Sequence, residues 1–291
     1  MPINLEVAKK YRSPAVFKEY SEHHGVLFAL ACNASAKTHL SLLYEEHRDF
    51  QISPIFLVAL GMQSFSLDKT PGVECDLDDL LHLDQYLEVI DEIPKSTTLR
   101  QDVRIVDVLD KKNAAVIIRN IESYDDKTNK KLAYMQFAIY QKNGGGFGGN
   151  PTSPVEIPLE RINKKLEIDK VFEIQTSVNQ AAIFRQCNGC KFPLHIDPTV
   201  AKEKGFPDPL LHGICTLGIS VQAIIDHYAK GDWRMLKSLK CRFSAPVYPG
   251  DQLEVKVYRD EGKLRFETMN LTTNRTAISS AYVVLKESHK L

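Results

Sequence analysis

The stretch Gly213–Tyr228, GICTLGISVQAIIDHY, is the strongest single indication of how this chain folds. Its apolar residues recur every three or four positions and form one stripe, which predicts a buried helix; they are Ile214, Leu217, Val221, Ile224 and Ile225. Gly218 lies within that stripe, where a glycine costs a helix about 1 kcal/mol relative to alanine. We therefore expect Gly218 to mark a close approach of this helix to a sheet.

A similar arrangement occurs in the first half of the chain. The segment VLFALACN at 26–33 precedes Pro54 and the run IFLVALG, and the segment AIFRQCN at 182–188 precedes Pro209 and the run LLHGICTLG. From phenylalanine to proline the spacing is 26 residues in the first copy and 25 in the second. The agreement in order and spacing predicts a duplicated unit of about half the chain.

Segments typical of β-strands follow the helix candidate in each half. Residues 114–123 and 132–140 are rich in β-forming side chains. In the second half, apolar and polar residues alternate over 253–258, and 264–266 and 281–285 resemble two further strands. Each half is therefore predicted to be a central helix wrapped by an antiparallel sheet, which places the chain in the α+β class.

The junction between the halves is predicted at a glycine-rich stretch. Gly144–Gly149 is interrupted only by a phenylalanine, and Asn150–Pro154 contains two prolines. Glycines add flexibility and prolines prevent regular pairing, so a plain linker is one interpretation. The other is a close backbone approach to a ligand. We divide the chain here into an N-terminal repeat, residues 1–150, and a C-terminal repeat, residues 151–291.

Composition argues against several classes of protein. Lysine plus arginine and aspartate plus glutamate both number 37, so the formal net charge is zero and no overall attraction to nucleic acid or to an anionic membrane is expected. No apolar run approaches a spanning helix, and the first residues lack the apolar core of a secretory signal. Six cysteines in 291 residues are too sparse for a disulfide scaffold, so reduced thiols are expected.

The polar residues that could carry chemistry cluster in Phe184–Gly218, which is predicted to be an ordered loop leading into the helix. It contains His195 and His212, and Gly213 follows at the helix start. A first-turn amide can stabilise an oxyanion, and an imidazole can exchange a proton near neutral pH. The pattern is compatible with an acid/base site, although two histidines in a proline-rich loop are also common as structural residues.

A second chemistry is compatible with the same segment. Cys187-Asn188-Gly189-Cys190 is a C-x-x-C, with two histidines and Cys215 further along. This spacing occurs in zinc sites and in redox dithiols. A second C-x-x-C or an H-x3–5-H is missing, and no thioredoxin-like pattern surrounds it. Ordinary thiols and no bound metal are therefore the prediction.

The segments PLHIDP (193–198) and LLHGICTLG (210–218) resemble the MaoC-like family of (R)-specific 2-enoyl-CoA hydratases, and within it the hydratase 2 unit of peroxisomal multifunctional enzyme type 2. Further resemblance extends over nearly the whole chain: Ala29–Leu30, Leu80–His82, Gln85–Glu88, Asp107–Lys111, the GGFGG stretch, Gly205–Phe206, Phe243 and Pro246–Gly250. Together these segments are more specific than any one motif.

The resemblance implies a double hot-dog fold, in which two antiparallel sheet-around-helix repeats share one chain. It implies reversible hydration of trans-2-enoyl-CoA to (3R)-3-hydroxyacyl-CoA in fatty-acid β-oxidation, with no cofactor beyond the CoA of the substrate. It also implies that the N-terminal repeat accommodates the acyl chain, that the C-terminal repeat carries the hydratase motif, and that the chain forms a homodimer. Neither nucleic acid nor membrane is an expected partner.

Site residues carry over by position. In the family, an Asp and a His of the pattern G-D-x-N-P-L-H activate water and move the proton; His195 matches that His, and the amide of Gly213 matches the oxyanion donor. The resemblance implies ligand contacts at His82, Leu83, Lys111 and Phe243. Leu83 departs from the glycine usual at that position.

The motif itself departs from the family pattern, because Cys190 stands in place of the Asp and Phe192 in place of the Asn. A thiol titrates near 8.5 and a carboxylate near 4, and a thiol is the weaker hydrogen-bond partner. Losing one of two cooperating acid/base groups typically costs about 10²–10⁴ in rate. Cys190 is kept as a catalytic candidate, and Asn188 and Phe192 as substrate-binding candidates.

Three hypotheses stay open from the sequence: a working hydratase with an altered site, an acyl-CoA-binding relative without turnover, and a hot-dog protein with another reaction or with C-x-x-C metal chemistry. The C-terminal His289, Lys290 and Leu291 nearly match the S-K-L signal that a peroxisomal import receptor reads. A peroxisomal location is therefore expected, with the cytoplasm as the alternative.

Overall fold

The computed structural model describes residues 3–64, 67, 70–73, 75 and 77–287. The C-terminal tripeptide, with its predicted import signal, lies outside the described residues. Seven α-helices occur in the described part of the chain: α1 Leu5–Lys10, α2 Glu22–Ala31, α3 Leu40–Leu43, α4 Ile55–Met62, α5 Gln180–Asn188, α6 Pro198–Glu203 and α7 Gly213–Tyr228. Every helix described is too short or too polar to cross a bilayer.

Ten strands form one antiparallel sheet, in the order β1-β3-β4-β5-β2-β7-β10-β9-β8-β6. Their bounds are β1 Val16–Tyr20, β2 Leu80–Val89, β3 Thr97–Asp110, β4 Ala114–Asp125, β5 Lys131–Lys142, β6 Lys170–Gln175, β7 Leu236–Phe243, β8 Gln252–Asp260, β9 Lys263–Asn270 and β10 Arg275–Leu285. The five strand segments predicted from composition and alternation all lie within these strands, and the prediction for α7 is confirmed at both ends.

The sheet order repeats itself about its centre. Outward from the centre, the first half follows β2-β5-β4-β3-β1 and the second follows β7-β10-β9-β8-β6, which is the same connectivity. The two halves join where β2 pairs with β7, from Asp84 opposite Arg242 to Glu88 opposite Ser238. We refer to this β2–β7 pairing as the seam. The paired helices also meet, because α2 contacts α5 and α4 contacts α7.

The sheet wraps around the two central helices, α4 and α7, and the main apolar core lies between the sheet and these helices. Seven of the eight residues of α4 and eleven of the sixteen of α7 are buried. The corresponding phenylalanines of the sequence repeat, Phe28 and Phe184, pack together with ring centroids 5.9 Å apart. The repeat seen in the sequence therefore corresponds to two elements that meet in the core.

The close approach at Gly218 is made to a helix and not to the sheet, so this detail of the prediction was wrong. A Cβ on Gly218 would lie 2.3 Å from Cys32 Sγ and 3.5 Å from Phe28 Cζ, both at the C-terminal end of α2. The stripe pattern indicates which face of α7 is buried but does not identify its neighbour. Glycine at this position lets α7 cross the end of α2 at short range.

The glycine-rich junction folds back on the sheet. The amides of Gly146 and Gly148 donate to the carboxylate of Asp110, at 2.9 and 2.8 Å, and both glycines have positive φ. Further along, residues 150–169 run across the sheet, where the Ile157 amide donates to Gln136 on β5 and Glu160 pairs with Lys263 on β9. The interpretation as a flexible linker is thus replaced by an ordered crossing segment; the division at residues 150 and 151 stays a prediction.

Candidate active site

His195 is the last residue of a short 3₁₀ turn, Pro193–His195, that follows α5. Phe192 before it is extended, as is usual for a residue preceding proline. His195 Nδ1 lies 2.9 Å from the Leu210 carbonyl oxygen, and since a carbonyl only accepts, this nitrogen carries the hydrogen. The neutral ring therefore presents the lone pair of Nε2 as a base. Burial is the main cause that lowers the pKa of His195 from its usual 6.5.

The segment around His195 is more regular than a loop. Residues 184–188 belong to α5, residues 193–195 to the 3₁₀ turn and residues 198–203 to α6. Asp197 caps α6, because its side chain accepts from the Thr199 amide. The prediction of an ordered loop missed these short elements, since helices of one or two turns have too little periodicity to stand out.

The start of α7 lies against His195. Its N-cap residue is His212, whose ring stacks on that of His195 with centroids 3.6 Å apart and planes at 21°. Gly213 follows as the first helical residue, so its amide is among those without an acceptor inside the helix. The structure thus brings together the two imidazoles and the helix start that the sequence singled out, with the His212 ring stacked on that of His195.

Two aromatic neighbours continue the site toward the seam. Phe243 at the end of β7 packs on Gly213, where an added Cβ would come within 3.0 Å of Phe243 Cδ1. His82 on β2 packs against Phe243, at 4.7 Å between ring centroids, and stacks on Phe137 at 5.3 Å. Burial, with the nearby charge of Arg119, lowers the pKa of His82 to about 3, so this ring is neutral. The site therefore draws side chains from both halves.

Cys190 and Asn188 hold the chain just after α5. Gly189 ends the helix in the left-handed conformation, with φ of 68°. The Cys190 amide donates to Asn188 Oδ1 at 3.1 Å, and its carbonyl accepts from Arg185 Nε at 3.2 Å. Asn188 is thus engaged with the main chain, and this contact indicates a structural role beside the ligand role that the sequence suggested.

The remaining predicted ligand residues lie in different surroundings. The Phe192 ring lies 6.0 Å from that of His195 and beneath Lys204, which pairs with Asp78. Leu83 packs against a separate apolar cluster that includes Leu109, Val116, Ile118 and Ala138. Lys111 follows β3, and its Nζ donates to the Pro151 carbonyl. Of the predicted ligand residues, His82, Phe243 and Phe192 therefore contact the site, and Leu83 and Lys111 have other neighbours.

The cysteines of the C-x-x-C are buried thiols. Cys187 Sγ donates to the Phe184 carbonyl at 2.9 Å, and burial raises its pKa well above the usual range, so it stays protonated. Among the described residues, no group of three or more His, Cys, Asp or Glu side chains is placed to hold a metal ion.

Two surface cavities lie elsewhere. One, of about 220 Å³, is lined by residues that include Gln51, Val89 and Trp233; the other, of about 360 Å³, lies between Ile3–Glu6 and Phe147–Gly149. The second is lined in part by the glycine-rich stretch, for which a backbone approach to a ligand was one interpretation. Neither is lined by a predicted catalytic or substrate-binding residue. The chemistry-bearing residues are instead packed around the start of α7.

Known families and proteins resemble this arrangement along most of the chain. The MFE-2 hydratase 2 N-terminal domain matches residues 18–143, and the MaoC like domain matches residues 161–281. The peroxisomal enoyl-CoA hydratase 2 of Arabidopsis thaliana is 30% identical over 292 residues, which cover 95% of this chain and 94% of that protein. The chain belongs to the MaoC-like hydratase family.

Longer relatives share this MaoC-like hydratase region. Peroxisomal multifunctional enzyme type 2 of Drosophila melanogaster is 37% identical over 280 residues, 93% of this chain and 46% of that protein. Its solved structure superposes with a TM-score of 0.82 over 94% of this chain and 48% of that one, at 34% identity. The chain thus spans less than half the length of these multifunctional relatives.

The fold assignment is confirmed by structures of lower identity. A MaoC-like dehydratase of Phytophthora capsici superposes with a TM-score of 0.85 at 23% identity, covering 97% of this chain and 99% of that one. A Mycobacterium tuberculosis protein described as a double hot-dog fold superposes with a TM-score of 0.57 at 11% identity, over 98% and 97% of the two chains. This chain therefore has the double hot-dog fold, as the resemblance implied.

Proposed function

We propose that this protein catalyses the reversible hydration of trans-2-enoyl-CoA to (3R)-3-hydroxyacyl-CoA, as a step of fatty-acid β-oxidation. The observation that supports this most directly is that two groups occur at the same site: the lone pair at His195 Nε2, and the Gly213 amide, which has no acceptor within α7. Hydration of an α,β-unsaturated thioester needs both groups, since a proton leaves water while negative charge builds on the thioester oxygen.

In the proposed reaction, His195 Nε2 removes a proton from water as the water oxygen bonds to C3 of the substrate. The electron pair of the C2–C3 double bond forms a C1–C2 double bond, and the carbonyl π pair moves onto the thioester oxygen, where the Gly213 amide donates a hydrogen bond to it. The enolate then takes the proton from His195 at C2, which regenerates the neutral ring. One water is added in total, and neither a metal nor a redox cofactor is part of the proposal.

The altered motif limits the expected rate. Cys190 replaces a carboxylate, and the Asn188 side chain is committed to the Cys190 amide. These two observations favour a second candidate, an acyl-CoA-binding protein without turnover, because Phe243, a predicted ligand residue, packs on Gly213, and His82, another, packs on Phe243. We place the hydratase first because both the base and the oxyanion donor are present.

Location and assembly complete the proposal. We place the protein in the peroxisome, supported by the peroxisomal relatives and by the resemblance of His289, Lys290 and Leu291 to an import signal. The proposed partners are an acyl-CoA thioester, a peroxisomal import receptor and a second copy of the chain. The division of labour proposed is an acyl-accommodating first half and a second half that carries the reacting groups.

The test is hydration of crotonyl-CoA and of a decenoyl-CoA, followed by loss of the enoyl-thioester absorbance and by chiral analysis of the product. We expect formation of the 3R product above the buffer rate, with a fall of about 10²-fold or more in His195→Ala. A rate equal to buffer, together with measurable acyl-CoA binding, would reject the hydratase in favour of the binding protein. His227→Ala, at the other end of α7, is the matched control and should keep the activity.

A further inference from the structure

His212 is a buried polar ring that the structure leaves without polar partners. Its exposure is 7%, and neither Nδ1 nor Nε2 has a hydrogen-bond partner among the described residues. It does not cap α7 through its side chain. A buried donor and acceptor that both lack partners are destabilising and uncommon in native proteins. An apolar ring would fill the same space beside Phe184 without that cost.

The position of His212 makes water a suitable partner. Its ring is stacked on His195 at 3.6 Å, so the edges of the two imidazoles lie side by side. The next residue is Gly213, whose amide is the proposed donor to the thioester oxygen. Because the two rings overlap, a water bound at the edge of the His195 ring would lie near the His212 ring as well.

We propose that His212 binds the reacting water together with His195, and so takes over the water-holding role of the carboxylate that Cys190 replaces. This inference rests on the proposed function. The lone pair of His212 accepts one hydrogen of the water, and this hydrogen stays on the oxygen as the hydroxyl of the product. His195 takes the other hydrogen and delivers it to C2. No further reactant is needed.

The electrostatics suit a pair of neutral rings. Burial is the main cause that lowers the pKa of His212 well below its usual value, and the nearby His195 and Arg185 lower it further. Two imidazolium ions at this separation would repel strongly, so at most one of the two rings is charged. His212 is accordingly neutral when His195 accepts the proton, and its lone pair is available to the water.

The experiment is a double-mutant cycle between residues 190 and 212, read as kcat and KM for crotonyl-CoA hydration. His212→Asn keeps a polar side chain but moves the acceptor. We expect kcat to fall by about 10²-fold in the native background, with KM changed less than about threefold. In a Cys190→Asp background the carboxylate holds the water, so the same substitution should cost less than about fivefold.

Rescue by small molecules gives a second readout that is independent of the Cys190→Asp variant. His212→Ala leaves a cavity next to His195, and added imidazole should restore part of kcat, whereas benzene, which only fills space, should not. His227→Asn is the matched control for loss of a histidine on α7. Thermal unfolding of every variant checks that the chain still folds.

Several outcomes would overturn the inference. An active His212→Asn enzyme with kcat within twofold of the native chain shows that the ring does not hold the water. Equal losses in both backgrounds, or equal rescue by benzene and imidazole, show that the ring only fills space. If the native chain does not hydrate enoyl-CoA, the proposed function is rejected and the inference with it. If the native chain is active and only the results for residue 212 differ from those expected, the inference alone is rejected.

Discussion

At the scale of single residues, the site depends on keeping two imidazoles uncharged within a buried stack. His195 Nδ1 donates a hydrogen bond to the Leu210 carbonyl, and Nε2 must be unprotonated to act as a base. Burial favours this state, because a charged ring loses hydration there, and Arg185 adds to it. The tautomer and the charge of His195 are therefore set by its surroundings.

The pH profile of hydration follows from that environment. kcat/KM should fall at low pH as His195 takes up a proton, and because its pKa is lowered, the midpoint should lie below the ordinary 6.5. The measurement is initial rate at subsaturating enoyl-CoA between about pH 5 and pH 9. The acidic limb should be lost from the residual activity of His195→Ala. A midpoint at or above about 6.5 would contradict the assignment.

Stability must be recorded over the same pH range. His195 and His212 both have pKa values lowered on folding, so below their unfolded pKa the unfolded chain binds more protons than the folded chain. The free energy of unfolding therefore decreases as the pH falls through about 6.5. Rates are interpretable only where the protein remains folded by circular dichroism.

Much of this residue-scale organisation was predictable, but the stack was not. A histidine near a His-Gly at a helix start was compatible with an acid/base site, although such histidines are also common as structural residues. The contact between His195 and His212 depends on how the 3₁₀ turn meets residues 210–212, which are separated from it along the chain. No local pattern encodes such a meeting, and the role of Asn188 in fixing the Cys190 amide was hidden for the same reason.

At the scale of elements, the crossing of α7 over the end of α2 leaves no room for a side chain at Gly218. The two helices approach at Gly218 and Cys32, where an added Cβ would lie 2.3 Å from the sulfur. This contact is near the site, because Gly218 is only five residues along α7 from Gly213, the first residue of that helix. Cys32 directly follows α2. Displacing α7 here would also displace the Gly213 amide, the proposed donor to the thioester oxygen.

Gly218→Ala should destabilise the fold even though alanine is the better helix former. The gain of about 1 kcal/mol in helix propensity is outweighed by overpacking, which costs about 1–3 kcal/mol. In a Cys32→Ala background the sulfur is absent, so the same substitution should be neutral or stabilising. Urea unfolding of the four proteins measures the coupling. Equal effects in both backgrounds would show that Cys32 is not the obstacle.

Elements with strong periodicity were predictable, and those defined by pairing were not. β4, β5 and β8 have long apolar or alternating runs, and α7 has a continuous stripe. β2 and β7 each pair with a strand of their own half and with each other. Which of their residues are buried therefore depends on both neighbours and on the site, and not only on which face of the sheet a residue occupies. Asp84 and Lys240 are buried within them, which disguises the pattern of a strand.

At the scale of the whole molecule, the seam unites the two halves in one sheet. Asp84 on β2 is fully buried and accepts from Arg242 on β7 through both oxygens, at 2.7 and 2.9 Å. Arg242 precedes Phe243, and Asp84 lies two residues from His82. The ion pair therefore anchors the two strands beside the residues that surround Gly213.

Arg242→Met should remove the partner of a buried carboxylate while keeping an unbranched side chain as far as the position of Nε. Breaking a fully buried pair typically costs about 3–5 kcal/mol. The lower end or less is expected here, because the Arg242 side chain is 38% exposed and Lys240 is a second nearby positive charge. Denaturant unfolding measures it. Arg234→Met, which breaks a surface pair with Asp232, is the matched control and should cost about 1 kcal/mol or less.

The contrary result is equally clear. If Arg242→Met and the surface control lose the same stability, the seam does not depend on this pair. If Asp84→Leu with Arg242→Met recovers most of the loss, the cost arose from the stranded charge and not from strand pairing itself. The sequence repeat predicted two halves, but it contained no signal for which strands would join them.

Because the topology is duplicated, the starts of α4 and α7 are equivalent positions in the two halves, but their residues differ in chemistry. α7 begins after a histidine and with a glycine, whereas α4 begins after Pro54 with Ile55 and Phe56, which are fully buried apolar residues. An ancestor made of two identical halves would have carried a pair of equivalent reaction centres. In the present chain the first residues of α4 are apolar and only the start of α7 carries the proposed reacting groups, so the expected stoichiometry is one acyl thioester per polypeptide.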